Sequence, residues 1–159
     1  MKEEVLDLYD NKFHKLDKTI VRRKDEIPEG ANIMQSYILI RNNNKYLLEQ
    51  SNVQNSYHWA IPGGHLMTGE TPENALNREL KEELNIENIS YKKIDTIKFP
   101  YNQFIFNVFY SEDTINMNDL KFQQEEVISV KWYTKDEILK LIEEGKIPKG
   151  YAFILKKYM

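Results

Sequence analysis

The sequence predicts an α+β protein of the α/β class, a mixed β-sheet covered by helices, from three observations. Strand-like segments recur along the chain: MQSYILI (34–40), YLLEQ (46–50), FIFNVFY (104–110) and ISVKWY (128–133). Two segments read as helices, one with Leu76, Leu80 and Leu84 at four-residue spacing and one opened by Thr134 and Glu137 at capping-box spacing. The resulting order of strand, strand, helix, several strands, helix indicates a mixed sheet with helices packed on it.

Each element has local signals. Residues before 30 (LDLYDNKFHKLDKTIVRRK) hint at an extra strand pair. RNNNK at 41–45 is a run of turn formers that joins two strands as a hairpin. After a loop at 51–57, HWAIPGGH runs from a short apolar segment into Pro62-Gly63-Gly64, where the chain must turn tightly. Thr71 suits a helix N-cap, Pro72 the first helical position, and Glu73 the positive end of the helix dipole. Asn85 marks the end of that helix, being one of the few non-glycine residues that tolerate left-handed backbone. SYKKIDTIKF (90–99) reads as a further strand. The second helix should run to about Glu144, before Gly145, and YAFILKKYM after Pro148 suits a last short helix.

With 159 residues, 41% apolar and 30% charged, the chain fits one globular domain spanning 1–159. A net charge of −3 provides no general footprint for nucleic acid, although Arg22, Arg23 and Lys24 form a local cluster that could serve a phosphate. Such a cluster is more often a solvated strand or turn. The absence of cysteine excludes disulfides, thiolate metal sites and a cysteine nucleophile. No segment has the length and apolarity of a membrane span, and MKEEVLDLYD lacks a signal-peptide core, so the expectation is a cytoplasmic protein with no membrane partner.

The chemistry concentrates in RELKEELNI (78–86). At 3.6 residues per turn, Glu79, Glu82 and Glu83 lie on one helix face, where like charges repel. Taken alone, this is most often a solvated surface eased by an Arg78–Glu82 pair. The sharper reading is a site for a hard cation, since Mg²⁺ takes carboxylate oxygens together with substrate phosphates. The flanking residues decide. Gly64, Glu70, Arg78, Glu79, Glu82 and Glu83 stand at a spacing that would arise by chance about once in ten million registers.

That spacing closely resembles the Nudix box of the Nudix hydrolase family, with Asn85 at the position of the final glycine. WAIPGG (59–64) and VKWYTKDEI (130–138) extend the resemblance over residues 32–144, leaving 1–30 as an extension. The resemblance implies an α/β/α sandwich and a Mg²⁺-dependent pyrophosphohydrolase, with Mn²⁺ able to substitute. It implies Gly63 (through its carbonyl), Glu79, Glu82 and Glu83 as metal ligands, with Glu79 as ligand or as the base that activates water. Family members often add an acidic ligand from a loop before a late strand; of Glu125 and Glu126, spacing favours Glu126. Arg78 should orient Glu70 or Glu82 as a bidentate partner, and Glu70 is expected to be a brace.

The expected substrate is a nucleoside diphosphate linked to another moiety, or another diphosphate, handled by a monomer or homodimer. Two alternatives stand beside it. The N-terminal stretch is similar to the isopentenyl-diphosphate-isomerase-like branch, whose isomerase chemistry needs a cysteine this chain lacks. The other is a non-catalytic nucleotide-sensing module, for which an eroded box would be expected. Outside the box, His58 and His65 are candidate acids, bases or phosphate contacts, against the commoner reading as wall residues. Tyr57, Trp59, Tyr101 and Phe104 could stack on a base or belong to the core. An arginine common after the YLL-type strand is replaced by Glu49-Gln50-Ser51.

Overall fold

A computed structural model describes residues 3–159. Strands β1 (Val5–Tyr9) and β2 (Lys15–Val21) pair antiparallel as a separate two-stranded sheet, the strand pair expected before residue 30. The second sheet has seven strands: β3 (Ile33–Asn42), β4 (Lys45–Ser51), β5 (Trp59–Ala60), β6 (Gly63–His65), β7 (Lys92–Lys98), β8 (Phe104–Ser111) and β9 (Val127–Thr134). Its order is β5-β4-β3-β8-β7, with β6 also on β3 and β9 also on β4. Strand β3 runs parallel to β8 and antiparallel to β4 and β6, so the sheet is mixed, as the element order predicts.

The β3–β4 hairpin closes on Asn43 and Asn44, both at positive φ (52° and 61°). Two left-handed residues in sequence make the mirror-image turn whose twist matches that of paired strands, and Asn tolerates it better than other side chains. Residues 33–40 of β3 are all buried, because helices cover both faces of this strand. Ile38 and Ile40 pack with Leu76, Leu80 and Leu84 of α1 (Pro72–Leu84) on one face. Tyr37 and Leu39 pack on the other with Ile138 of α2 (Lys135–Glu143) and Ile154 and Leu155 of α3 (Lys149–Tyr158). The layers are helix, sheet, helix.

The helix ends carry the chemistry read from sequence. Thr71 accepts the Asn74 N–H at 3.1 Å, and Thr134 and Glu137 form the full capping box on α2. Asn85 ends α1 at φ 60° and ψ 34°. Its side chain does more than tolerate the angle: Lys81 Nζ donates to Asn85 Oδ1 at 2.8 Å, and Asn85 Nδ2 donates to the Asp119 carbonyl at 3.0 Å. The next loop is stitched to the same helix end by Lys121 N–H to Leu84 O and Gln123 N–H to Glu83 O.

The β1–β2 hairpin buries Leu6, Leu8 and Ile20 against Ala31 and Ile33. Tyr9 and Asn32 exchange two backbone hydrogen bonds of 2.8 Å, which ties β1 to the start of β3. Asp7, 3% exposed, reaches the loop before α1, accepting the Thr68 hydroxyl at 2.8 Å and the Gly69 N–H at 2.9 Å. Among the described residues, no helix is long and apolar enough to cross a membrane.

Candidate active site

The site is built where β6 turns back beneath α1. Gly63 sits at φ 141°, and a Cβ there would lie 1.9 Å from the Ser36 carbonyl oxygen of β3. A Cβ on Gly64 would lie 2.5 Å from Glu79 Cδ. The sequence suggests that these glycines admit metal and phosphate. In the folded chain the pair admits a neighbouring strand and the Glu79 carboxyl, so the glycines act by letting a side chain of α1 lie against the turn.

Glu79 is accordingly buried, 8% exposed, whereas Glu82 on the same helix face stands at the rim with half its side chain in solvent. Arg78 binds four groups. Its guanidinium donates to both Glu70 oxygens (2.7 and 2.9 Å), to Glu79 Oε1 (2.8 Å) and to the His65 carbonyl (3.0 Å). The bond to Glu82 is long, 3.4 Å. The expected pairing with Glu70 is present, and Glu79 rather than Glu82 is the second strong partner, because Glu79 lies inward where water competes less. Glu70 also accepts the Met67 N–H at 2.7 Å. Burial raises the Glu70 pKa, but Arg78 and that N–H outweigh it and hold the carboxyl below its usual range.

A residue outside the box completes the cluster. Glu49 of β4 is 6% exposed, and its Oε2 has no hydrogen-bond partner among the described residues. Strand alternation explains its direction: Leu47 packs against α1, and two residues on, Glu49 faces the same helix. There it lies beside Glu83, which is next to Glu79, so three carboxyl groups act on one another. Burial is the main cause that raises all three pKa values; neighbouring carboxylates add to it, Glu79 and Glu126 at Glu49, Glu82 at Glu79, and Glu49 and Glu79 at Glu83. Glu49 is pushed up to about 8.

These groups line a cavity of about 600 Å³ together with Gly63, Glu82, Glu125 and Glu126. Both candidates from the late loop reach it, and the charge of Glu126 acts on Glu49. The carboxyls form a wall rather than a finished cage: among the described residues, no three His, Asp or Glu side chains converge on one point as metal ligands. The donor set nevertheless fits a hard divalent cation, which would supply the partner that Glu49 Oε2 lacks and offset the crowded charge.

The NUDIX domain family model matches residues 34–153 of the chain. This chain belongs to the Nudix family. Two curated relatives of the Nudix chain are 8-oxo-dGTP diphosphatases. The one from Haemophilus influenzae is 41% identical over 50 residues, 31% of this chain and 37% of its own length. The one from Proteus vulgaris is 49% identical over 39 residues, 24% of this chain and 35% of its own length. The Nudix chain thus spans little more than a third of the curated relatives it matches. Its fold is shared with DR0079 of Deinococcus radiodurans, at a TM-score of 0.82 and 21% identity, over 98% of this chain and 100% of that one. A MutT NUDIX hydrolase of Burkholderia pseudomallei gives a TM-score of 0.66 at 15% identity, over 80% and 98%. Nudix hydrolases generally use divalent metal ions.

The remaining candidates of the Nudix chain separate by position. His58 and His65 both line the acidic cavity, and His65 also lies beside Gln35 (3.3 Å between ring and amide nitrogens). Burial, then Arg22, Arg23 and Arg78, bring the His65 pKa down to about 3, so the ring is neutral at physiological pH. Tyr57 and Tyr101 are exposed, Trp59 packs edge-on against Tyr133, and Phe104 lines a second chamber. Glu49 is the site residue sequence reasoning passed over. Its signal was a carboxylate interrupting the apolar run Tyr46-Leu47-Leu48.

Proposed function

We propose that this chain is a Mg²⁺-dependent hydrolase that cleaves the pyrophosphate bond of a nucleoside diphosphate linked to another moiety. The observation that carries the reading is the wall of carboxyls, buried Glu79 and Glu49 with half-buried Glu83 between them, set against the Gly63-Gly64 turn. Three such groups are costly to keep together without a compensating cation. Arg78 offsets part of that charge, and its strongest bonds already go to Glu70 and Glu79.

In this reading Glu83, Glu82, Glu49, Glu126 and the Gly63 carbonyl hold Mg²⁺, for which Mn²⁺ can substitute. A bound cation of this kind neutralises diphosphate oxygens and makes water more acidic. Glu79 takes the proton from the attacking water. Arg78 already engages its Oε1, which makes Glu79 a poorer ligand than Glu83 and holds it in one orientation. The water oxygen bonds to phosphorus as the bridging P–O bond breaks, and the leaving phosphate departs with the electron pair. Glu70 acts through Arg78 as a brace.

The test is turnover by the purified chain on nucleotide sugars, dinucleoside polyphosphates and nucleoside triphosphates, with Mg²⁺ and with EDTA. The activity of the two curated relatives puts 8-oxo-dGTP on that panel. Glu83→Gln should lower kcat by about 10³-fold or more with the fold intact. Near-normal turnover by that variant, or no turnover on any member with Mg²⁺, rejects the assignment.

A further inference from the structure

A second chamber, about 450 Å³ and mostly apolar, lies beside the acidic cavity. Arg22, Tyr37, His65, Pro148 and Tyr151 line both spaces, so the two share these walls. The chamber's outer side is made by the N-terminal hairpin and the segment after it: Leu6, Ile20, Arg22, Arg23 and Ile27. All five precede the segment that the family model matches. Its inner side is aromatic, with Tyr37 edge-on to Phe106 (5.9 Å between centroids) and to Tyr151 (5.1 Å), and Phe104 beside Phe106.

The charge pattern across the shared walls is bipolar. Most carboxyl groups stand on the side toward α1, around Arg78, and Arg22 and Arg23 stand on the hairpin side together with Glu3, Glu4 and Asp25. Arg22 pairs with Glu4 at 2.8 Å while both side chains keep about a third of their surface in solvent, an ion pair that an incoming anion can replace. Arg23 has left-handed backbone (φ 72°), an uncommon state for a residue with a long side chain. Asp25, which also lines the chamber, has an oxygen committed to the Val21 N–H at 2.7 Å.

We propose that this chamber seats the base of a nucleoside monophosphate unit and that Arg22 and Arg23 grip the phosphate attached to it. A volume in the range of about 300–1,000 Å³, apolar walls and a few convergent polar groups describe a small-molecule site. Flat aromatic walls suit a planar heterocycle. Gln35 and His65, which hydrogen-bond each other (3.3 Å between amide and ring nitrogens), place polar atoms among these apolar walls. From the arginines, the phosphate chain then runs toward the carboxyl wall. The proposal rests on the hydrolase reading for the fate of the nucleotide and on the chamber alone for its binding.

Binding is therefore measured in EDTA, by calorimetry and by amide chemical shifts, with the four nucleoside 5′-monophosphates, the free nucleosides and a prenyl monophosphate. Wild-type chain should bind at least one nucleotide saturably, with shifts at Leu6, Ile20, Arg22 and Ile27. Arg22→Gln with Arg23→Gln should weaken nucleotide at least tenfold and leave the free nucleoside unchanged. Ile27→Trp, which fills the chamber from a half-buried position, should abolish both, its fold checked by the amide spectrum. Shifts confined to residues 51–58, tighter binding of the prenyl phosphate, or unchanged affinity in Ile27→Trp each overturn the proposal, as does no binding at all. Metal-free binding without turnover in Mg²⁺ would leave the chamber standing and reject only the hydrolase reading.

Discussion

Glu49 on β4 and Glu83 on α1 hold their carboxyl groups side by side in the space between strand and helix; burial raises both pKa values, the charge of Glu49 raises that of Glu83 further, and the hydrogen bond with Glu83 offsets part of the rise at Glu49. A pair of this kind is unfavourable until something positive separates it. Glu49→Gln removes one charge while keeping the shape. In EDTA at alkaline pH the variant should melt higher than wild type, and its Mn²⁺ affinity by calorimetry should fall about 10- to 100-fold. A variant that loses metal-free stability and keeps its affinity would show that Glu49 is a structural residue.

The same pair sets a pH dependence. Glu49 and Glu83 have folded-state pKa values above the unfolded value of about 4.3, so the folded chain binds their protons more tightly. Their contribution is complete below that value and is lost as pH rises through the folded pKa, about 8 for Glu49. His65 and Glu70 shift the other way, and their contributions are in place above about pH 7. The melting temperature in EDTA should therefore fall between about pH 7 and 9, and excess Mg²⁺ should flatten the fall. A metal-free profile that rises over this interval would contradict the assignment of the cluster.

Gly64 is a packing requirement as well as a turn residue. The Cβ of Gly64→Ala would overlap Glu79 at 2.5 Å, and either the turn or the carboxyl must shift. The expected cost is about 1–3 kcal/mol by urea unfolding, with loss of turnover exceeding the loss of Mn²⁺ affinity, because the displaced group is Glu79. Equal losses of both would place Glu79 among the metal ligands instead.

Asp7 links the hairpin to the loop that leads into α1. Asp7→Ala leaves the Thr68 hydroxyl and the Gly69 N–H without their acceptor, at about 1–3 kcal/mol. Hydrogen exchange should speed up at Gly69 before it does so in α1. Unchanged protection at Gly69 would mean that the loop is held by other bonds, such as Thr68 N–H to Val5 O.

The box and its helix were legible because local rules dominate there: Thr71, Pro72 and Asn85 mark the ends, and the three leucines choose the buried face. The β3–β4 hairpin, the α2 capping box and the helix after Pro148 were readable for the same reason. What escaped depends on pairing between distant segments. Glu49 becomes part of the cluster only because β4 lies beneath α1, and no local pattern states which face of β4 that helix covers. Arg22 and Arg23 read more readily as a solvated strand or turn than as a phosphate contact, since their proximity to His65 follows from the docking of the hairpin. Glu125 and Glu126 line the same cavity, so spacing alone separates them weakly.

Asn85 occupies the place of a residue usually chosen for having nothing to say. Glycine would provide the left-handed angle and leave the following loop to find its own position. Here the amide spans from Lys81 to Asp119, and the adjoining backbone bonds of Leu84 and Glu83 complete the seam. Helix end and loop are therefore joined by side-chain and backbone bonds alike. If Glu83 and Glu126 hold the cation as proposed, an ion of the wrong radius would have to work against that backbone seam rather than against two free side chains.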